Sequence, residues 1–199
     1  MIGVAVLLYL LRPPAPVTVV VDFERPRLEG AVRQVRDPYV AEGVTFSVAT
    51  DLAGQFRDRV VGLVTNRGTS ACVEPADANQ KLGAGRPSIG LAAFPIRATF
   101  SPPLQPTAGA VRISVEFQGL AGSAFRLRLF DRQAALVGDA RVIAAPPDGT
   151  CGLLGNPRTR VVAAAASSSE VASVVMDEEG GSNVFVIDAF TYEAAAQGP

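Results

Sequence analysis

The chain contains no histidine and no tryptophan. Without histidine the commonest general base and metal ligand is missing, and so is every nucleophile scheme built on a Ser–His or Cys–His pair. Without tryptophan, and with tyrosine only at positions 9, 39 and 192, there is little material for a flat aromatic platform that could stack a sugar ring. An excess of one charge is also lacking. The 18 Lys and Arg against 19 Asp and Glu leave a net charge of −1, so nothing global points to nucleic acid or an acidic membrane surface. The basic residues are dispersed along strand-like segments rather than gathered with aromatics, which argues against an oligonucleotide groove.

Long hydrophobic runs are scarce. The longest, Ile2 to Leu11 in "MIGVAVLLYLLRPPAPV", is too short to span a bilayer as a helix but suits the core of a signal peptide. No Lys or Arg precedes it and "PPAP" is a poor cleavage site; a start codon placed too far downstream would explain the missing basic segment. The expectation is an exported, bacterial-type chain destined for the cell surface or the extracellular space. Residues 1–16 then form a signal-like, anchoring or assembly segment, the one part expected to touch a membrane. The alternative is an apolar extension packed on the domain. Cysteine is limited to Cys72 and Cys151, in two polar, turn-rich stretches. In an exported chain the pair suggests one disulfide closing a loop of about 80 residues, worth about 4 kcal/mol on a chain-entropy model. In a cytosolic chain the same residues are two free thiols, and a thiol titration of the unfolded, unreduced protein separates the two.

What the sequence does have is short apolar runs punctuated by 19 Gly and 15 Pro, with 48% hydrophobic and 19% charged residues over 199 positions. This is an all-β profile for one domain with a substantial core. In "VTVVVDFE" Val17, Val19, Val21 and Phe23 share a face. "GVTFSV", "RVVGLVT", "PSIGLAAF" and "IRATFS" read as further strands, the last ending at Pro102-Pro103. A long polar excursion, residues 66–86, carries Cys72. "VRISVEF" and "FRLRLFD" alternate cleanly, with Phe125, Leu127 and Leu129 inward and Arg126 and Arg128 outward. Symmetric pairing about "QGLAGSA" would make them a hairpin with Glu116 opposite Arg126. "RTRVVAAAA", "VASVVMD" and "NVFVIDAFTYE" supply the last strands, with "DEEGGSN" as an acidic turn before the final one. Eight to eleven strands with two long end loops predict an antiparallel β-sandwich, most economically a jelly roll, over residues 17–193, followed by a tail at 194–199.

One carboxylate interrupts this pattern. Regular alternation in "NVFVIDAFTYE" would set Asp188 on the face of Phe190 and Tyr192. An ionised Asp among such neighbours is costly unless it is hydrogen-bonded, paired with an Arg such as Arg25, or bound to a metal.

The order "VVVDFE", "PYVAEGVTFS", "IRATFSPPL", "FRLRLFDRQAALVGDARV" and "NVFVIDAFTYE" resembles bacterial exported jelly-roll surface domains of the type that carries sorting tails. It is similar, more distantly, to galactose-binding-like and carbohydrate-binding-module sandwiches. That resemblance implies a structural Ca²⁺ between the first and last strands, held here by Glu24 and Asp188 with Asp22 as a further ligand. Ca²⁺ takes about six to eight oxygen ligands, which carboxylates and loop carbonyls can provide. It also implies a ligand end, for which Tyr39 is the aromatic platform candidate and Asn66, Arg67, Asp77, Asn79 and Gln80 could line a loop-end pocket; otherwise these five are solvated loop residues.

No other motif carries chemistry. "DANQKLGAG" opens like a calcium loop but has Lys81 where a third oxygen ligand should stand. "GAGRPSIG" lacks dinucleotide-loop spacing, and "GLAGSAF" is not a nucleophile elbow. Carboxylate-pair glycoside hydrolysis needs only two acids at a suitable separation, yet no pair is marked for it. The expected function is a non-enzymatic exported module with a structural, adhesion or assembly role at the cell surface, whose partner is itself or a surface glycan. The alternative is a calcium-dependent carbohydrate-binding module.

Overall fold

Alternating apolar and polar residues make strands wherever a turn residue lets the chain reverse. The computed structural model describes residues 17–23, 32–34, 39–49, 60–65, 80–85, 95–106, 109–119, 122–144, 159–179 and 185–194. They form β1 (Val17–Val21), β2 (Val32–Gln34), β3 (Val44–Val48), β4 (Val60–Thr65), β5 (Gln80–Gly85), β6 (Ile96–Leu104), β7 (Arg112–Gly119), β8 (Ala124–Phe130), β9 (Leu136–Ile143), β10 (Thr159–Ala164), β11 (Val171–Glu179) and β12 (Phe185–Ala194). A 3-10 turn, Val40–Glu42, precedes β3.

Two antiparallel sheets make a β-sandwich. The five-stranded sheet has the order β3-β6-β11-β8-β9. The seven-stranded sheet has the order β10-β7-β12-β5-β4-β2, with β1 added beside β12. The first and last described strands are therefore neighbours, Val17 opposite Ala194 and Val21 opposite Phe190.

Several sequence expectations change. β7 and β8 are not a hairpin, because the chain crosses from the seven-stranded to the five-stranded sheet between them. Glu116 faces Arg160 of β10 instead of Arg126. Alternation identifies strands without saying which sheet takes them. "DEE" at 177–179 is the end of β11, not a turn. β6 runs on through Pro102-Pro103 to Leu104, with an irregularity in its pairing to β11 between Val171 and Ser173. β5 lies inside the stretch expected to be a polar excursion. The described residues alone hold twelve strands, where eight to eleven were expected.

The core is layered with aromatic rings. Phe117 of β7 stacks on Phe125 of β8 across the two sheets, 4.8 Å apart at 11°. Phe185 of β12 meets both rings. Toward the other end, Phe46, Phe100, Phe190 and Tyr192 form edge-on and tilted pairs at 5.0–6.1 Å. β12 contributes to both groups, and it can do so only by breaking its alternation. Phe185 and Ile187 are buried, and so are Phe190 and Tyr192, two sets of opposite parity. A β-bulge reconciles them: Ile187 pairs with Phe117 and Phe190 with Val115, so Asp188 and Ala189 together oppose one residue of β7. Burying a large apolar side chain stabilises by about 1.5–3 kcal/mol, more than the roughly 1 kcal/mol of a displaced ladder hydrogen bond. Packing therefore decides the bulge.

The side of the sandwich where β9 meets β10 closes by close backbone approach. A Cβ on Gly138 would lie 2.5 Å from the Ala164 carbonyl oxygen and 3.0 Å from its carbonyl carbon. Next to Gly138, β9 is irregular, since Leu129 pairs with Gly138 but Phe130 pairs with Leu136. The Val137 carbonyl accepts the Ala166 N–H at 2.9 Å, tying the two sheet edges together.

Candidate functional site

The outer face of the five-stranded sheet holds the best-defined constellation of charge. Residues at 125, 127 and 129 of β8 face the core, so Arg126, Arg128 and Phe130 face outward. Register places Arg126 opposite both Asp177 of β11 and Arg141 of β9. Two arginines directly opposite would repel. The carboxylates resolve this on diagonals, which long side chains can span. Arg126 donates from Nε and Nη2 to Asp139 Oδ1 and Oδ2 at 3.0 and 2.7 Å, a two-toothed fork. Arg128 Nη2 donates to Asp177 Oδ2 at 2.5 Å, and Arg141 Nε to Glu179 Oε2 at 2.5 Å. Arg126 Nη1 stands 3.7 Å from Glu179 Oε1 and links the pairs into one network. The hydrogen bond from Arg126, aided by its charge, holds the Asp139 carboxyl below the ordinary carboxylate value against a smaller opposing effect of desolvation. One acid stands on the core side: Glu178, in phase with Val174 and Met176, is 6% exposed and accepts a hydrogen bond from the Ser123 hydroxyl.

Beside this network runs a row without charge. Thr45, Thr99, Ser173, Phe130 and Leu136 follow one another across β3, β6, β11, β8 and β9. Phe130 is the one aromatic ring among the described residues that is not buried. The Arg128 guanidinium carbon sits 6.0 Å from its centroid, a cation–π distance. Leu136 beside it is 53% exposed. In the neighbouring row, Ser47, Arg97, Val175 and Arg128 lie side by side. The Nε atoms of Arg97 and Arg128 are buried and donate to no partner in the structure, and Arg97 forms no ion pair with a described carboxylate. Sequence reasoning missed this surface, although the alternation that turned Arg126 and Arg128 outward also turns Phe130 outward.

The residues expected to form sites are distributed otherwise. Tyr39 is 5% exposed, its ring edge-on to Phe23 and Phe46 at 5.5 and 5.8 Å. It is a core residue and offers no stacking face. Asn66, Arg67, Asp77 and Asn79 lie outside the described residues, as do Cys72, Cys151 and Glu24. Gln80 begins β5, opposite Thr65. Asp22 is exposed and lies one residue beyond the Val21–Phe190 pair. Asp188 lies in the bulge of β12. Both positions fall at the junction where β12 exchanges β5, paired at Ile187, for β1, paired from Phe190 onward. Among the described residues, no three His, Cys, Asp or Glu side chains gather as a metal site. Also among them, no helix is long and apolar enough to cross a membrane.

No family model matches the chain, and no curated protein matches it. Among solved structures it is similar to the K1 cleaved adhesin domain of Lys-gingipain from Porphyromonas gingivalis W83, at 13% identity and a TM-score of 0.47, covering 91% of this chain and 99% of that one. It is also similar to an arabinose-bound GH51 α-L-arabinofuranosidase, at 9% identity and a TM-score of 0.45 over 74% of this chain and 23% of that one. A third is the CBM22-1–GH10 portion of a Clostridium thermocellum endo-1,4-β-D-xylanase complexed with xylohexaose, at 13% identity and a TM-score of 0.44 over 79% and 27%. The chain spans about a quarter of the length of these last two.

Proposed function

We propose that the chain is a non-enzymatic β-sandwich module exported to the cell surface, where it serves adhesion or assembly. The observation that supports this reading is the outer face of the five-stranded sheet. Arg126, Arg128 and Arg141 are engaged with Asp139, Asp177 and Glu179 across strands instead of converging on a cleft. The result is a broad, rigid face with a contact strip around Phe130 and Leu136. Light scattering on the full chain and on a form lacking residues 1–16 tests assembly. Self-association that disappears with the deletion supports it; a strict monomer in both forms removes assembly and leaves adhesion, to be scored by binding to immobilised surface glycans.

A calcium-dependent carbohydrate-binding module is the second reading, favoured by one observation. The pairing of β1 with β12 brings Asp22 to the bulge that contains Asp188. A bulge leaves backbone groups outside the ladder, and carbonyl and carboxylate oxygens are the ligands Ca²⁺ requires. EDTA is expected to lower the melting temperature of the metal-loaded protein and Ca²⁺ to restore it; an unchanged melting curve removes calcium from the proposal.

A further inference from the structure

Four arginines and three carboxylates of the described residues share the outer face of β6, β8, β9 and β11: Arg97, Arg126, Arg128 and Arg141 against Asp139, Asp177 and Glu179. Three of the arginines are matched in the network. Arg97 is the surplus cation, with its Nε atom buried and without a hydrogen-bond partner. A guanidinium left in that condition forgoes charged hydrogen bonds that are stronger than neutral ones. Its natural complement is a carboxylate, which the planar fork accepts side-on through Nε and Nη once the side chain turns outward.

The neighbours of Arg97 define what should carry the carboxylate. Thr99 and Ser173 present hydroxyls in the next row, and Phe130 lies in the same row two strands from Thr99. Two strand spacings are about 10 Å. An accessible aromatic ring, a run of hydroxyls and an unmatched arginine at that distance suit a saccharide with alternating apolar and hydroxylated faces, carrying an acid on a neighbouring ring. An acidic peptide would use the arginine but would not need the ring and hydroxyls arranged in rows.

We infer that the outer face of the five-stranded sheet binds an acidic glycan of the hexuronate class. Arg97 takes the carboxylate, Thr99 and Ser173 take sugar hydroxyls, and Phe130 packs against a sugar face. The inference rests on the glycan-binding reading and is independent of calcium.

Titration calorimetry with an oligogalacturonate, its methyl-esterified form and poly-glutamate tests it. The full chain is expected to bind the free acid at least about ten-fold more tightly than the ester, the discrimination due to one charged hydrogen-bonded pair. Arg97→Ala should abolish that difference and Arg97→Lys should keep part of it. Phe130→Ser should weaken both sugar forms about equally, with unchanged melting curves showing that the variants are folded. Equal binding of acid and ester, or full discrimination in Arg97→Ala, overturns the charge assignment while leaving glycan binding standing. Poly-glutamate binding as tight as the sugar assigns the face to acidic peptides and overturns the saccharide. Binding of neither sugar form overturns the glycan reading itself.

Discussion

Tyr192 shows how one side chain can join distant parts of the chain. Its ring is 2% exposed within the aromatic layer, and its hydroxyl donates to the Glu42 carbonyl, tying β12 to the 3-10 turn. Burial, assisted by the nearby Glu42 charge, pushes its pKa from 10.0 up to about 12. The folded state thus holds the proton more tightly than the unfolded one. The corresponding stability is complete below pH 10 and is lost as the pH rises toward about 12, a loss on the order of 2–3 kcal/mol by linkage. Urea unfolding on both sides of pH 10 is expected to show this slope. Tyr192→Phe should flatten it, at a neutral-pH cost of about 1 kcal/mol for the missing hydrogen bond. Gly138 makes a second residue-scale prediction. The atoms that would meet its Cβ belong to the Ala164 backbone, with Leu129 Cδ1 at 3.0 Å on another side. Gly138→Ala is expected to lower stability by about 1–3 kcal/mol in denaturant titration, as overpacking does.

At the scale of the element, β12 is where local pattern and global packing conflict, and it sets the limit of what can be read from sequence. Alternation alone gives strands β1, β3, β7 and β8 and their inward faces correctly, because Val19, Val21, Phe46, Ile113 and Phe125 keep strict period two. In β12 the same rule predicts Asp188 on the Phe190 face. The observed bulge depends on Phe117 and Val115, residues some 70 positions earlier, and no local pattern contains them. The Glu116–Arg126 expectation failed for a related reason: strand partners are chosen by the sandwich, so Arg160 takes Glu116 at 2.5 Å. Parity also turns Phe130 outward, against the ordinary expectation that a Phe at a strand position is core. Deletion of Ala189 tests the account of β12. The shortened strand would pair Asp188 with Glu116 and keep Ile187 opposite Phe117 and Phe190 opposite Val115. Strict alternation would then hold Phe185, Ile187, Phe190 and Tyr192 on the core face, and the variant is expected to stay folded without the bulge. Unfolding of the deletion variant would overturn this account. Ala189→Gly retains the bulge and should stay folded, with circular dichroism melting as the measurement.

For the molecule as a whole, stability depends on the union of its earliest and latest described strands. β1 is short and largely exposed, yet Phe23 two residues beyond it is fully buried and edge-on to Tyr39 and Phe46. Phe23 holds that place at φ 60°, a left-handed conformation that is uncommon for a bulky residue. Two truncated forms, one starting at Val17 and one at Glu24, isolate this contribution. The shorter is expected to melt lower by on the order of 10 °C, as removal of a buried Phe costs about 3–5 kcal/mol. Equal melting temperatures would show that β1 and Phe23 are accessories to the sandwich.

The central place of β12 also bears on how the protein is made. β7 lies on one of its edges, and β5 and β1 share the other, so three strands synthesised earlier wait for a partner delivered last. Residue 17 cannot find its neighbour until residue 194 has left the ribosome. Without β12 the described strands of the seven-stranded sheet fall into three pieces, β10-β7, β5-β4-β2 and β1. Pairings over such separations form slowly and leave strand edges open to other chains in the meantime. The edges of β1, β5 and β7 that face β12 therefore stay open until residues 185–194 have been made.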